Sequence, residues 1–169
     1  MADDPAPHDA LQTVGDLIQD TETCMMTTRR PDGRLLSRPM RWVARQPFDG
    51  DLWFFTAETS RKVEDVASDA HVNLAFQSDR HETSVSVHGT AVVIRDPATL
   101  DALWEPRLDP WFPQGRDTDG LVLIRVEARG AEYWDGTRNP VVLAFGLARG
   151  LLTDGTADTS DNARVSLDA

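Results

Sequence analysis

Among the 17 basic residues of this 169-residue chain, Lys62 is the one lysine. It lies in Leu52-Trp53-Phe54-Phe55-Thr56-Ala57-Glu58-Thr59-Ser60-Arg61-Lys62-Val63-Glu64-Asp65-Val66, where an aromatic strand runs through a hydroxyl-rich turn into a helix start. A helix N-terminus carries unpaired backbone N–H groups and the positive end of the helix dipole, so Ser60, Arg61 and Lys62 can together hold an anion. The aromatic strand beside them could carry a planar ring. That combination points to a phosphorylated aromatic cofactor, with flavin mononucleotide (FMN) the leading candidate. A plainer explanation of the same residues stays open: in an arginine-rich chain a lone lysine can fall at any surface position, and Thr59 or Ser60 then serves only as a helix cap.

Other chemistries find less support. No Ser-His-Asp arrangement or carboxylate pair offers an independent catalytic engine. The four histidines, His8, His71, His81 and His88, show no His-x-x-x-His spacing and the chain has no Cys-x-x-Cys, which argues against zinc or iron. His88 reads as a residue hydrogen-bonded within a sheet. Cys24 is the only cysteine, so an intrachain disulfide is impossible, and its setting in Thr23-Cys24-Met25-Met26-Thr27-Thr28 is that of a small buried hydrophobe. Gly-x-Gly-x-x-Gly is absent, so a nicotinamide donor leaves no fingerprint.

Composition bounds the class of partner. The length and the 40% hydrophobic content suit one core rather than two full domains. The net charge of −11 comes mainly from the ends: residues 1–22 carry six acids and no Lys or Arg, residues 150–169 carry four acids and Arg164, and between them 18 acids face 16 bases. Nucleic-acid binding needs a basic face that neutralises phosphates, and neither the sign nor the distribution of charge supplies one. No apolar run approaches the ~20 residues that span a bilayer, and Met1-Ala2-Asp3-Asp4 does not open like a signal peptide, so the expected setting is cytoplasmic.

Elements that would position the anion site follow from periodicity and turn chemistry. Leu11, Val14, Leu17 and Ile18 recur at helical spacing, predicting a helix over Asp9 to Ile18 behind a frayed tail at residues 1–8. Strands are predicted over Thr23 to Arg29, Leu35 to Val43 after the Pro31-Asp32-Gly33 turn, Asp51 to Thr56, His71 to Phe76 and Thr83 to Ile94. Gly89 inside the last of these suggests a bulge that curls the sheet. A helix over Arg61 to Ser68 should turn Val63, Val66 and Ala67 inward. Asp96-Pro97 caps a further helix with Leu100, Leu103 and Trp104, followed by a Pro/Gly-rich loop that holds Trp111 and Phe112. Leu121 to Val126 and Ala131 to Trp134 read as two strands with a bend near Arg129-Gly130. Asn139-Pro140 opens a helix over Val141 to Leu152, and Ala163 to Leu167 is a last strand. Short strands without regular strand-helix alternation favour a mainly β fold, an antiparallel barrel of about six to eight strands with helices at its rim.

In this order the segments resemble the FMN-binding split-barrel family of pyridoxamine-phosphate-oxidase-like proteins, and within it the bacterial general stress protein branch. The resemblance rests on Ser37-Arg38-Pro39-Met40, on Leu52-Trp53-Phe54-Phe55-Thr56 with Ser60-Arg61-Lys62, on His88-Gly89-Thr90-Ala91, on Trp111-Phe112-Pro113-Gln114-Gly115 and on Ala131-Glu132-Tyr133-Trp134-Asp135. It implies a homodimer with FMN in clefts at the subunit interface. It also implies that Arg38 and Lys62 meet the phosphate, Ser60 and Arg61 add donors, and Pro39 and Met40 line the ribityl chain. Phe55 and Thr56 would run along the isoalloxazine edge, with Trp104, Trp111 and Phe112 as walls. Removing Lys62 and Arg38 together is then expected to weaken FMN binding with the fold intact. The biosynthetic oxidase of this fold follows the Glu-Tyr-Trp-Asp segment with an arginine- and histidine-bearing strand that grips its substrate's phosphate. Here Gly136-Thr137-Arg138-Asn139-Pro140 stands instead, which argues against that reaction. The resemblance leaves three options: an oxidoreductase passing electrons from a nicotinamide nucleotide to a small acceptor, a non-catalytic flavin-binding protein, or a split barrel turned to deazaflavin, haem or a scaffold role.

Overall fold

A computed structural model describes residues 7–43, 47–78, 83–135 and 161–166. Strand β1 (Thr23–Arg29) and β2 (Leu35–Arg41) form a hairpin whose turn uses Gly33 at φ 87°, a left-handed conformation glycine adopts without strain. Strands β3 (Asp51–Ala57), β4 (His71–Ser78), β5 (Thr83–Ile94), β6 (Leu121–Asp135) and β7 (Asp161–Ser166) complete an antiparallel sheet. Its order is β2-β1-β4-β5-β6-β3, with β7 added beside β6. Among the described residues the two edges of this strip are joined by one bridge, just beyond the end of β2, where Val43 N–H donates to the Trp53 carbonyl of β3 at 2.8 Å. A sheet curled to this point and then left open is a split barrel.

Alternation on each strand fills the interior. Cys24 and Met26 on β1, Leu52 and Phe54 on β3, Leu74 and Phe76 on β4, Val85 and Val87 on β5, and Ile124 and Val126 on β6 share one core. Helix α1 (Pro7–Ile18) adds Val14 and Ile18 to it. Full burial of each large apolar side chain is worth about 1.5–3 kcal/mol. Burial also pushes the Cys24 thiol up to about 12, which leaves it inert as a nucleophile. Strand β3 is buried on both faces, because Trp53 and Phe55 point outward into a second cluster with Leu108, Leu121 and Leu123. Covering that face are α3 (Pro97–Leu103), capped by Asp96 through its hydrogen bond from Thr99 N–H at 2.9 Å, and the loop after it.

The irregularity expected at Gly89 is present as a register shift between His88 and Gly89, which face Gly130 and Ala128, so that the extra residue of the bulge is Arg129 on β6 opposite. A Cβ at Gly89 would run into the Glu127 carbonyl oxygen and the Ala128 backbone, so β5 and β6 approach more closely there than any other residue allows. Gly89→Ala should therefore lower stability by about 2 kcal/mol or more in urea unfolding. An unchanged midpoint would show that the two strands can part without cost.

Several expectations need correction. The irregularity expected near Arg129-Gly130 is present but does not divide the chain into two strands: β6 runs from Leu121 to Asp135 and takes it up as a bulge, with Arg129 the extra residue between Ala128 and Gly130. Helix α2 (Arg61–Ser68) turns Val63 and Val66 inward as expected, but Ala67 is exposed and Asp65 is buried in its stead. The His88 side chain is exposed and makes no hydrogen bond within the sheet among the described residues; Asn73 opposite it bonds Ser86 at 2.8 Å. The helix expected over Val141 to Leu152 lies outside the described residues. No helix among the described residues is long and apolar enough to cross a membrane.

Candidate functional site

The turn between β3 and α2 brings hydroxyls and cations together. Ser60 occupies the N-cap position in extended conformation, yet its hydroxyl makes no capping bond and instead lies 3.1 Å from Thr56 Oγ1. Lys62 Nζ donates to the same Thr56 Oγ1 at 3.0 Å. The Arg61 and Lys62 backbone N–H groups stand in the first turn, where a helix has no carbonyl to offer them. Among the described residues Lys62 forms no ion pair. Its ammonium is held below the ordinary lysine range, first by burial and then by the nearby charge of Arg38. A half-buried cation beside a second cation and above a helix N-terminus is a place where an anion relieves repulsion.

Arg38 is held from behind. Its Nη1 donates to Thr28 Oγ1 at 2.7 Å and to the Met26 carbonyl at 3.3 Å, while Nη2 reaches Asp65 Oδ2 at 3.3 Å. Thr28 in turn donates to Asp65 Oδ2 at 2.7 Å, and Arg30 Nε stands 4.0 Å from Asp65 Oδ1. Thr28 and Asp65 are fully buried. The sequence reading missed this pair, and the available signal was Asp65 itself, a charged residue at a helix position whose neighbours Val63 and Val66 face inward.

The remaining candidates divide into separate groups. Phe55, Trp104 and Phe112 make one aromatic cluster, with Phe55 and Trp104 edge to face at 5.2 Å between centroids and Phe112 6.4 Å from Phe55. A cleft of ≈ 350 Å³ opens next to this layer, lined by Trp53 and by Ala98, Thr99, Ala102 and Leu103. Trp111 stands apart: it is 57% exposed, and the Arg41 guanidinium lies 5.0 Å from its ring centroid. Arg41 also pairs with Glu22 at 2.8 Å. Met40 is buried in the barrel core, whereas Pro39, its neighbour on β2, is exposed, as is Arg61. The structure thus joins Arg38, Thr56, Ser60 and Lys62 in one polar site and gathers three of the four aromatic candidates at the outer face of β3.

Backbone geometry links the two groups. In an antiparallel strand the N–H and C=O of alternate residues face the same edge. Phe55 therefore shares its edge with Trp53, whose carbonyl accepts across the split from Val43. No described strand pairs with β3 on that side beyond this bridge, so the Phe55 N–H and C=O line the open split between the polar site and the aromatic layer.

With this geometry established, comparison with known proteins fixes the lineage. The model of the pyridoxamine 5'-phosphate oxidase-like family matches residues 9–158. The chain belongs to that family. It is 31% identical over 167 residues to protein bli-3 of Neurospora crassa, an alignment covering 92% of this chain and 80% of that protein. Among solved structures it is similar to the general stress FMN/FAD-binding protein of Xanthomonas citri, with 26% identity, a TM-score of 0.67 and coverage of 78% of this chain and 92% of that one. The general stress protein 26 of Bacillus anthracis shares the fold at 22% identity and a TM-score of 0.61, covering 74% and 91% of the two chains. The mainly β split barrel of this family is the architecture found here.

Proposed function

We propose that the protein binds FMN and serves as an oxidoreductase that passes electrons between a nicotinamide nucleotide and a small acceptor. The observation that carries this reading is Lys62, a half-buried cation without a counter-ion among the described residues, set against Arg38 and the N-terminus of α2. A phosphate supplies the missing negative charge, and the residues present fit it. Arg38 gives a planar donor set, Lys62 a point charge, and Ser60 with the first-turn N–H groups neutral donors. The naming of the Xanthomonas citri relative as an FMN/FAD-binding protein supports a flavin. We place the polar edge of the ring against the open Phe55 backbone and its face near Trp104 and Phe112. Pro39, Arg61 and Trp111 border the same ligand, some of them across a homodimer interface that completes the cleft, while Met40 stays in the barrel core.

A bound flavin supplies hydride and electron transfer, while the protein fixes its position and excludes water from it. Purified protein should release FMN on denaturation, and with added acceptors it should oxidise NADH or NADPH steadily. Tight flavin binding without turnover would instead support a protein that only holds the cofactor. A preparation that takes up no flavin would end the proposal.

Proton linkage gives a further check. The depressed titration of Lys62 means that the unfolded chain binds more protons between the folded value and the ordinary lysine value, so the ligand-free protein gains stability as pH climbs through that window. A bound phosphate favours the charged ammonium and reverses this. FMN affinity should therefore fall as pH rises through the window, whereas riboflavin, which shares the ring but lacks the phosphate, should show no such loss. Parallel pH profiles for the two ligands in titration would remove Lys62 from the phosphate site.

A further inference from the structure

A site built for a dianion has no evident use for a buried carboxylate, yet the Asp65 side chain is 2% exposed and meets Arg38 directly. Like charge at short range weakens anion binding, so Asp65 must contribute something that offsets its repulsion. The hydrogen-bond inventory of Arg38 shows what that is. A guanidinium has five N–H groups. Among the described residues three of them are taken: two on Nη1, by Thr28 Oγ1 and the Met26 carbonyl, and one on Nη2, by Asp65 Oδ2. The two left are Nε–H and the second Nη2–H, which lie along one side of the guanidinium and together suit two oxygens of a phosphate. Thr28 is oriented as well: its proton goes to Asp65 at 2.7 Å, which turns a lone pair toward Arg38.

We infer that Asp65, together with Thr28, is a positioning residue for ligand recognition, locking the far edge of Arg38 so that its side-on edge is kept for the ligand's phosphate. Asp65 follows Lys62 by three residues on α2, so one short helix sets Lys62 through its first turn and Arg38 through its second. The two cations are held in fixed relation without touching one another. Identification of the phosphate as that of a flavin rests on the proposed function; the locking of Arg38 does not.

The test combines a measurement that needs no ligand with one that does. Nitrogen NMR of the arginine side chains in the full chain, without flavin, should show separate, slowly exchanging Nη signals for Arg38. These should merge in Asp65→Asn and broaden in Thr28→Val. In titrations, Asp65→Asn should weaken FMN binding by about tenfold and leave riboflavin binding unchanged. Thr28→Val should act in the same direction with a smaller effect, and it carries the test if Asp65→Asn does not fold. In an Arg38→Met background neither substitution should cost further affinity. A freely rotating Arg38 in the wild type would overturn the inference, as would an equal loss on substituting Asp65 in the Arg38→Met background, or a gain in FMN affinity in Asp65→Asn. If the wild type binds FMN no better than riboflavin, the flavin-phosphate reading fails on its own, and the Nη signals still decide the role of Asp65.

Discussion

Lys62→Ala should bind FMN roughly 10- to 100-fold more weakly than the wild type, the equivalent of the 1.5–3 kcal/mol typical of a hydrogen bond to a charged group. The reason is local. Lys62 forms no ion pair among the described residues and makes one hydrogen bond, to Thr56 Oγ1 at 3.0 Å, so its charge is not spent on the fold. Its removal also relieves the repulsion with Arg38, and thermal stability should hold or rise slightly. Riboflavin affinity should barely change, because only the phosphate meets this residue. Isothermal titration with both ligands separates these effects. A common loss for FMN and riboflavin would mean that Lys62 acts through the shape of the pocket rather than on the phosphate.

Arg38→Ala should behave differently and cost about 3–5 kcal/mol of folding stability before any ligand is considered. The substitution strips a buried carboxylate of its nearest cation, leaving Asp65 with Thr28 and an Arg30 Nε 4.0 Å away that has no hydrogen bond of its own. From sequence, both cations looked removable with the fold intact. The ion pair with Asp65 limits that expectation to Lys62. Urea unfolding of Arg38→Ala, with Arg38→Ala/Asp65→Asn beside it, provides the check: the second variant should recover part of the loss. Two variants of equal stability, both close to wild type, would show that the network contributes nothing to folding.

Local signals were legible where a single element decides its own structure. The bounds of β1, α2 and β5 follow from alternation, helix spacing and the hydroxyl-rich turn, and Gly89 marks a bulge because only glycine fits against the Glu127 carbonyl. The polar site was legible as well, since Thr56, Ser60 and Lys62 lie within seven residues and are joined by one turn. What stayed hidden depends on contacts between distant segments. Whether Asp65 is buried is set by Thr28 and Arg38 on two other strands, and an eight-residue helix is too short for its spacing to tell Asp65 from Ala67 as the inward residue. The Arg41 guanidinium over the Trp111 ring is also brought there by the fold, from a strand far away in sequence. Continuity of β6 is likewise a property of the pairing with β5, which no motif within β6 announces.

The most direct test of the phosphate site is a crystal structure of the protein grown with excess FMN. The expected result is a phosphate within hydrogen-bond distance of Lys62 Nζ, the side-on edge of Arg38 and the first-turn N–H groups of α2, with the ring reaching the open edge at Phe55. A flavin seated elsewhere, or a pocket closed by its own side chains in the presence of saturating FMN, would contradict it.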